Sequence, residues 1–385
     1  MPNLMRVCIL QTVLDPYKGA NHLPLFAATS EVSFTIVCNR SKARKDDLPA
    51  NVDVITVPGR IGPYYYGCAD ALFARSVLRR YPASDPFWKS FDVLHLNQVM
   101  GPAFRRLQGS GVPVLFTIHH PVTADREIAL QESGSVQGIL WRMKYALLIF
   151  WQKRMCTSCD RVMTVSKTIS DRLNNEYHCP LDRISIVPNG VDGTVFMPST
   201  EAPLFDVIAL GSFMHPRKGF RYLTEAYRAL AAKGYRIADV GRRSDEQIEI
   251  LRSIPGVTIH GTVDQPTVRS LVQRSSVLIS TSLYEGFGLS LIEALACGRP
   301  AFAFGGGAVH EVLAPIDASL VVPARDTGAL VRRIDAFLRL PAQERKQCGA
   351  HFRTEVLKHY PLEVSAHLLR QCYGQLKRAA VRQAT

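Results

Sequence analysis

Short runs of aliphatic and β-branched residues alternate along this chain with longer stretches of helical periodicity. The runs predict strands at residues 6–11, 34–38, 52–57, 93–96, 114–118, 161–165 and 184–187. A second set is predicted at 205–210, 236–240, 257–259, 277–280, 301–304 and 320–322. Buried runs separated by amphipathic stretches build parallel sheets covered by helices on both faces, so the pattern predicts an α/β protein with two parallel-sheet domains. Residues 192–204 hold Gly193, Pro198 and Pro203 and read as the linker. A length of 385 residues exceeds one core of ordinary size and suits two. No internal repeat or low-complexity tail is seen.

Two segments bear on location. Residues 1–14 carry one basic residue before Val7-Cys8-Ile9-Leu10 and lack the long apolar core and small-residue cleavage site of a signal peptide, so they read as the first strand. The most apolar region, 138–155, contains Trp141, Tyr145, Phe150 and Trp151, but Arg142 and Lys144 interrupt it. It falls short of the roughly 20 apolar residues a membrane-spanning helix needs. Nine cysteines, an odd number spread over the chain, argue for a reducing compartment over a disulfide framework. Cys156 and Cys159 form a lone pair without the second pair a zinc ribbon requires, so they are read as helix-end packing and no metal is expected. The expected location is cytoplasmic, with the inner face of a membrane as the variant.

Charge narrows the partners. With 46 basic against 33 acidic residues the formal charge is +13, which suits anionic ligands. Nucleic acid is not expected, since no finger, aromatic RNA-binding signature or basic reader helix is present. An anionic membrane surface ranks above it, because Trp141, Arg142, Lys144, Trp151, Lys153 and Arg154 combine aromatic and basic side chains on one predicted helix. The competing reading is a buried helix whose basic side chains snorkel outward, and the pattern favours that one.

The densest chemistry lies at Tyr284-Glu285-Gly286-Phe287-Gly288-Leu289-Ser290-Leu291-Ile292-Glu293. A strand precedes it and a helix closed by Gly298 follows, so the segment is strand, loop, helix. At the carboxyl end of a parallel strand, glycines that turn backbone N–H groups outward and a helix start suit a phosphate. Ser290 to Glu293 also fits a capping box, and by spacing alone the two readings stand level.

These ten residues resemble the signature of the retaining glycosyltransferases of family 4, which have the GT-B fold. Further matches follow in order: Asp92-Val93-Leu94-His95, Phe116-Thr117-Ile118-His119-His120, Asp160-Arg161-Val162-Met163-Thr164-Val165-Ser166 and Val187-Pro188-Asn189-Gly190-Val191-Asp192, then Gly211 with Pro216-Arg217-Lys218-Gly219, and Gly305-Gly306-Gly307-Ala308-Val309-His310-Glu311. The set spans residues 92–311, and the first 90 residues add little.

The resemblance implies two Rossmann-like domains, at 1–195 and 205–361, with a cleft between them and a final helix, 362–385, returning to the first. It implies transfer of a sugar from a UDP- or GDP-sugar to a hydroxyl acceptor in glycan, glycolipid or glycosylated-metabolite synthesis, with retention and no essential metal or cofactor. Glu293 would hold the ribose hydroxyls. Glu285 would hold the transferred sugar and face charge developing at its anomeric carbon. Gly288, Leu289 and Ser290 would bind phosphate oxygens, with Gly211, Ser212 and Phe287 beside the donor and Thr262 near the base. Lys218 would stabilise the departing diphosphate. The family pattern has an arginine where this chain has Ser212, and Arg217 or Arg242 is the candidate substitute.

His119, at the end of a predicted strand, reads by itself as a structural hydrogen-bonder; the resemblance places it against the donor sugar. His120, Asp125 and Arg126 lie where an acceptor would bind. The triple glycine reads either as a flexible connection or as a cleft element, and Tyr64-Tyr65-Tyr66 either as an acceptor platform or as packing. Two other classes fit the same architecture: a nucleotide-sugar epimerase and a non-catalytic nucleotide-sugar-binding subunit. The glutamate pair with Lys218 disfavours both, and Ser212 keeps the second open.

Overall fold

The computed structural model describes residues 4–15, 23–59, 68–132 and 134–384. Tyr64, Tyr65 and Tyr66 lie outside the described residues. The first seven strands are β1 (Met5–Leu14), β2 (Val32–Ser41), β3 (Val52–Thr56), β4 (Val93–Asn97), β5 (Val114–Ile118), β6 (Arg161–Thr164) and β7 (Ile184–Ile186). They form one sheet in the order β3-β2-β1-β4-β5-β6-β7. The next six are β8 (Phe205–Leu210), β9 (Ile237–Val240), β10 (Val257–Gly261), β11 (Ser275–Ser280), β12 (Ala301–Phe304) and β13 (Val321–Val322), ordered β10-β9-β8-β11-β12-β13. Every recorded strand pairing is parallel, and each predicted strand has its counterpart. The protein is α/β, with two Rossmann-like sheets.

Burial explains why the strands read as unbroken apolar runs. Every residue of β4 and β5 is buried, since helices cover both faces of a parallel sheet. In each sheet the chain starts at an inner strand, moves outward in one direction and then returns to the other side. That leaves a switch point between β1 and β4 in the first sheet and between β8 and β11 in the second, where loops at the carboxyl ends diverge and leave room for a ligand.

The chain divides into two compact units. One comprises Met1–Arg126, Gly134–Pro188 and Leu362–Thr385; the other comprises Glu127–Ser133 and Asn189–Pro361. In the first, the helix Leu362–Ala384 contributes Leu362, Ala366, Leu369, Cys372, Tyr373 and Leu376 to the core around Val7, Phe34 and Leu115. A buried polar contact fixes its seat: His95 Nδ1 lies 2.8 Å from the Tyr373 hydroxyl, and its Nε2 lies 2.5 Å from Thr117 Oγ1. His95, part of the sequence signature, is therefore a structural group. In the second unit, Arg353 donates to the carbonyls of Gly193, Phe196 and Ala296, so the predicted linker is tied down along part of its length.

The helix Ser135–Ser158 differs from the buried element favoured by the sequence pattern. It buries Tyr145, Leu148, Gln152, Met155 and Cys156, but its opposite face is exposed and apolar. The sequence reading failed because the helix is apolar on both sides, and periodicity cannot show which side finds a partner. Cys159 is buried just beyond the helix end, in keeping with a packing role. Among the described residues, no helix is long and apolar enough to cross a membrane.

Candidate active site

In the second unit, three loops at the carboxyl ends of β8, β11 and β12 hold one another through backbone bonds. After β8, the turn Pro216–Lys218 ends at Gly219 with φ +67°, and a Cβ there would stand 2.2 Å from the Thr281 carbonyl. Leu283 N–H donates to Arg217 O at 2.8 Å, and the Thr281 hydroxyl donates to Lys218 O at 3.2 Å. The turn is thereby fastened to the loop after β11, the neighbouring strand across the switch point.

The triple glycine fastens the third loop. Glu285 N–H donates to Gly306 O at 3.3 Å, and Ala308 N–H donates to Glu285 O at 2.8 Å. A Cβ on Gly306 would stand 2.1 Å from Leu283 O, and one on Gly307 would stand 2.3 Å from Glu285 O. The segment is thus a close-fitting backbone brace, and the flexible-connection reading is set aside.

This frame brings Glu285, Lys218 and Arg217 together. Lys218 Nζ lies 2.5 Å from Glu285 Oε1, and Arg217 Nη1 lies 3.6 Å from Oε2 while donating to Tyr284 O at 2.8 Å. Burial pushes the Glu285 carboxyl up, but Lys218, Arg217 and a hydrogen bond from Ser282 pull it further the other way, to about 2. The carboxylate stays ionised at any ordinary pH. Two cations on one carboxylate leave an excess positive charge, close in sequence to a helix amino terminus that also favours anions.

That helix, Leu289–Ala296, decides the reading of Ser290. Its cap is Gly288, at φ +91°, so Glu293 lies in the second turn and no capping box joins it to Ser290. Gly288, Leu289 and Ser290 occupy the cap and first turn, whose N–H groups have no intrahelical acceptor. Glu293 is partly buried, and burial alone raises its carboxyl to about 8, with no cation among the described residues offsetting the desolvation. The two glutamates of the signature are thus driven in opposite directions.

The remaining candidates of this unit divide. Phe287 is buried and sets its ring edge-on to Tyr360, with centroids 5.3 Å apart, so the ring belongs to the core. Thr262 is exposed just past Gly261, whose carbonyl accepts from Gly241 N–H at 2.7 Å. Ser212 is exposed and Gly211 has φ +123°. Of the two proposed substitutes for the family arginine, Arg217 stands at Glu285, whereas Arg242 is exposed.

A residue missed from the sequence supports this loop. Arg243 is buried, donates to Gly211 O at 2.6 Å and pairs with buried Asp239 at 2.7 Å, with its guanidinium 4.3 Å from the Phe213 ring centroid. Tyr227 donates to the same Asp239 oxygen at 3.1 Å. The available signal was an aspartate inside the apolar run Ile237-Ala238-Asp239-Val240, which demands a buried partner.

In the first unit, His119 follows β5 and its Nε2 lies 3.1 Å from Asn97 Oδ1, while Asn97 Nδ2 donates to Gln11 Oε1 at 2.9 Å. Gln11 within β1, Asn97 at the end of β4 and His119 just past β5 thus form a chain of hydrogen bonds, the first two absent from the sequence reading. His120 Nε2 lies 3.1 Å from Asp125 Oδ2, in the first turn of the helix Val122–Gln131. Arg126, next on that helix, is partly buried. The candidates therefore fall into two groups, one on each unit.

Family profiles cover both. The profile described as Glycosyltransferase Family 4 matches residues 27–194, and that described as Glycosyl transferases group 1 matches residues 205–339. The chain belongs to glycosyltransferase family 4. Among its relatives, the MMP alpha-(1->4)-mannosyltransferase of Mycolicibacterium hassiacum is 29% identical over 265 residues, which cover 66% of this chain and 64% of the relative. The phosphatidyl-myo-inositol mannosyltransferase of Mycolicibacterium smegmatis is 28% identical over 263 residues, covering 64% of this chain and 62% of the relative. This family 4 chain thus matches slightly less than two thirds of the length of either. Solved structures share its fold: the sucrose-phosphate synthase of Thermosynechococcus elongatus superposes with a TM-score of 0.76 at 20% identity, covering 97% of this chain and all of that one. Anabaena HepE in complex with UDP-glucose gives 0.71 at 14% identity, covering 96% of this chain and all of HepE.

Proposed function

We propose that the protein transfers a sugar from a UDP- or GDP-sugar to a hydroxyl acceptor, with retention at the anomeric carbon and with neither metal nor cofactor, in the assembly of a glycan, glycolipid or glycosylated metabolite. The observation that carries this reading is the cluster of Lys218, Arg217 and Glu285 on loops clamped together at the β8/β11 switch point. As the bond from the sugar to the diphosphate breaks, its electron pair goes to a phosphate oxygen, and fixed cations stabilise that charge better than water that must reorient. Lys218 and Arg217 supply them, Arg217 standing in for the family arginine lost at Ser212. The N–H groups of Gly288, Leu289 and Ser290 take the phosphate oxygens.

Glu285, held ionised by its neighbours, bonds a sugar hydroxyl and faces positive charge growing at the anomeric carbon. Glu293 takes the two ribose hydroxyls and gives up its proton to do so. On the first unit, His119 holds a sugar hydroxyl, oriented through Asn97, while His120, Asp125 and Arg126 serve the acceptor. The relatives named as mannosyltransferases and the neighbour solved with UDP-glucose support a hexosyl donor. Work in the cytoplasm, at the inner face of a membrane, belongs to the same proposal.

The test is a thermal-shift screen of UDP- and GDP-sugars followed by transfer assays, with the product's anomeric configuration read by NMR. Retained configuration is expected, and Lys218→Ala with Arg217→Ala should weaken donor binding at least about a hundredfold, each lost charge-assisted contact counting for roughly 1.5–3 kcal/mol. Inverted product, or donor affinity that survives both substitutions, would overturn the reading.

A further inference from the structure

Among the described residues, five of the fourteen exposed large apolar side chains lie on one stretch of one helix: Ile139, Leu140, Met143, Leu147 and Phe150, each between 41% and 68% exposed. At 100° per residue they share a face, a stripe about 16 Å long. The helix Ser135–Ser158 cannot roll to hide it. Gln152, on the opposite side, is buried and accepts from Val122 N–H at 2.8 Å and the Tyr177 hydroxyl at 2.6 Å, with Tyr145, Leu148 and Met155 buried beside it. Apolar contacts and a polar anchor therefore fix the rotation that leaves the stripe outside.

Charge identifies the occupant. The helix contains no acidic residue and four basic ones. Arg142 and Arg154 are exposed on or beside the stripe and Lys153 borders it. Lys144 sets its ammonium 4.6 Å from the ring centroid of Trp141, which stacks on buried Tyr145, and Trp151 is partly buried at the margin of the stripe. A second copy docking here would bring like charges together, whereas an anionic bilayer takes the apolar side chains into its interface and the cations among its headgroups. We propose that this face of the helix docks the protein on an anionic lipid surface. It gives the location proposed above a physical surface and rests on that part of the reading alone.

The test is sedimentation of the full chain with vesicles of phosphatidylcholine, with and without phosphatidylglycerol, at low and high salt. Binding to the anionic vesicles at low salt is expected. Met143→Ser with Phe150→Ser should lower it at least about tenfold at every salt concentration, since two large side chains lose their burial. Arg142→Gln with Arg154→Gln should lower it several-fold at low salt and little at high salt. Leu140→Ser with Leu147→Ser repeats the first test should that pair fail to melt cooperatively. Absence of binding at low salt, or binding unchanged in both apolar pairs, overturns the proposal, as does a solution dimer that the apolar pairs dissociate. Binding is read without donor or turnover, so its failure leaves sugar transfer standing, and loss of transfer leaves the surface standing.

Discussion

The carboxyl edges of the two sheets achieve rigidity by different means. In the second unit the loops after β8, β11 and β12 are joined backbone to backbone, through glycines at which a Cβ would stand 2.1–2.3 Å from a facing carbonyl. In the first unit the corresponding order comes from side chains, with Gln11, Asn97 and His119 linked in series. A backbone-built edge holds charged groups at fixed positions, and a side-chain-built edge can be altered one bond at a time. In the proposed function, the backbone-built edge holds the diphosphate together with Glu285 and Glu293, and the side-chain-built edge carries His119 and the acceptor-side residues.

The largest test of that division is Glu285→Gln. It should lower kcat by about a thousandfold, roughly 4 kcal/mol of transition-state stabilisation, while donor affinity measured by calorimetry changes far less. Unchanged turnover would remove the catalytic role of the backbone-built edge. Next comes Arg243→Ala, which leaves Asp239 charged and buried; a loss of about 3 kcal/mol is expected in denaturant unfolding. A variant as stable as the parent would show that the β8 loop does not depend on the buried pair.

The pH dependence of donor binding separates the two glutamates. Glu293, raised to about 8 by burial, holds its proton at neutral pH and, in its proposed role, ionises to accept two ribose hydroxyls. Affinity should therefore climb with pH, by up to about tenfold per unit, until it levels off above 8. Stability should move the other way, falling as pH rises from the unfolded carboxyl range through 8, because the folded state holds the proton more tightly. Glu293→Gln should flatten both profiles; a slope that persists belongs to another group. The smallest effect is expected from Asn97→Ala. The hydrogen bonds to His119 and to buried Gln11 are both lost, so kcat/KM should fall about fivefold and stability by about 1–2 kcal/mol. A loss as large as that from Glu285→Gln would erase the distinction between the edges.

The sequence carried most of the fold because inner strands such as β4 and β5, buried on both faces, must be apolar throughout, and each of the thirteen strands among the described residues was visible as a local run. The glutamate signature, the triple glycine and Lys218 were singled out through the family resemblance, since the residues alone left the capping-box, flexible-connection and surface-lysine readings open. What the sequence did not carry depends on which side chains meet. Arg243 with Gly211, and Asn97 with Gln11, are joined across 32 and 86 positions by sheet order alone. The opposite ionisation of Glu285 and Glu293 was hidden for the same reason: one carboxylate meets two cations from the β8 loop, the other meets only desolvation. The exposed stripe on Ser135–Ser158 was hidden too, because its residues would read identically had a neighbour covered them. Local composition determined which elements form and where glycine is required. The tertiary structure decided which charges are compensated and which apolar face is left outside, because both follow from the distances between elements.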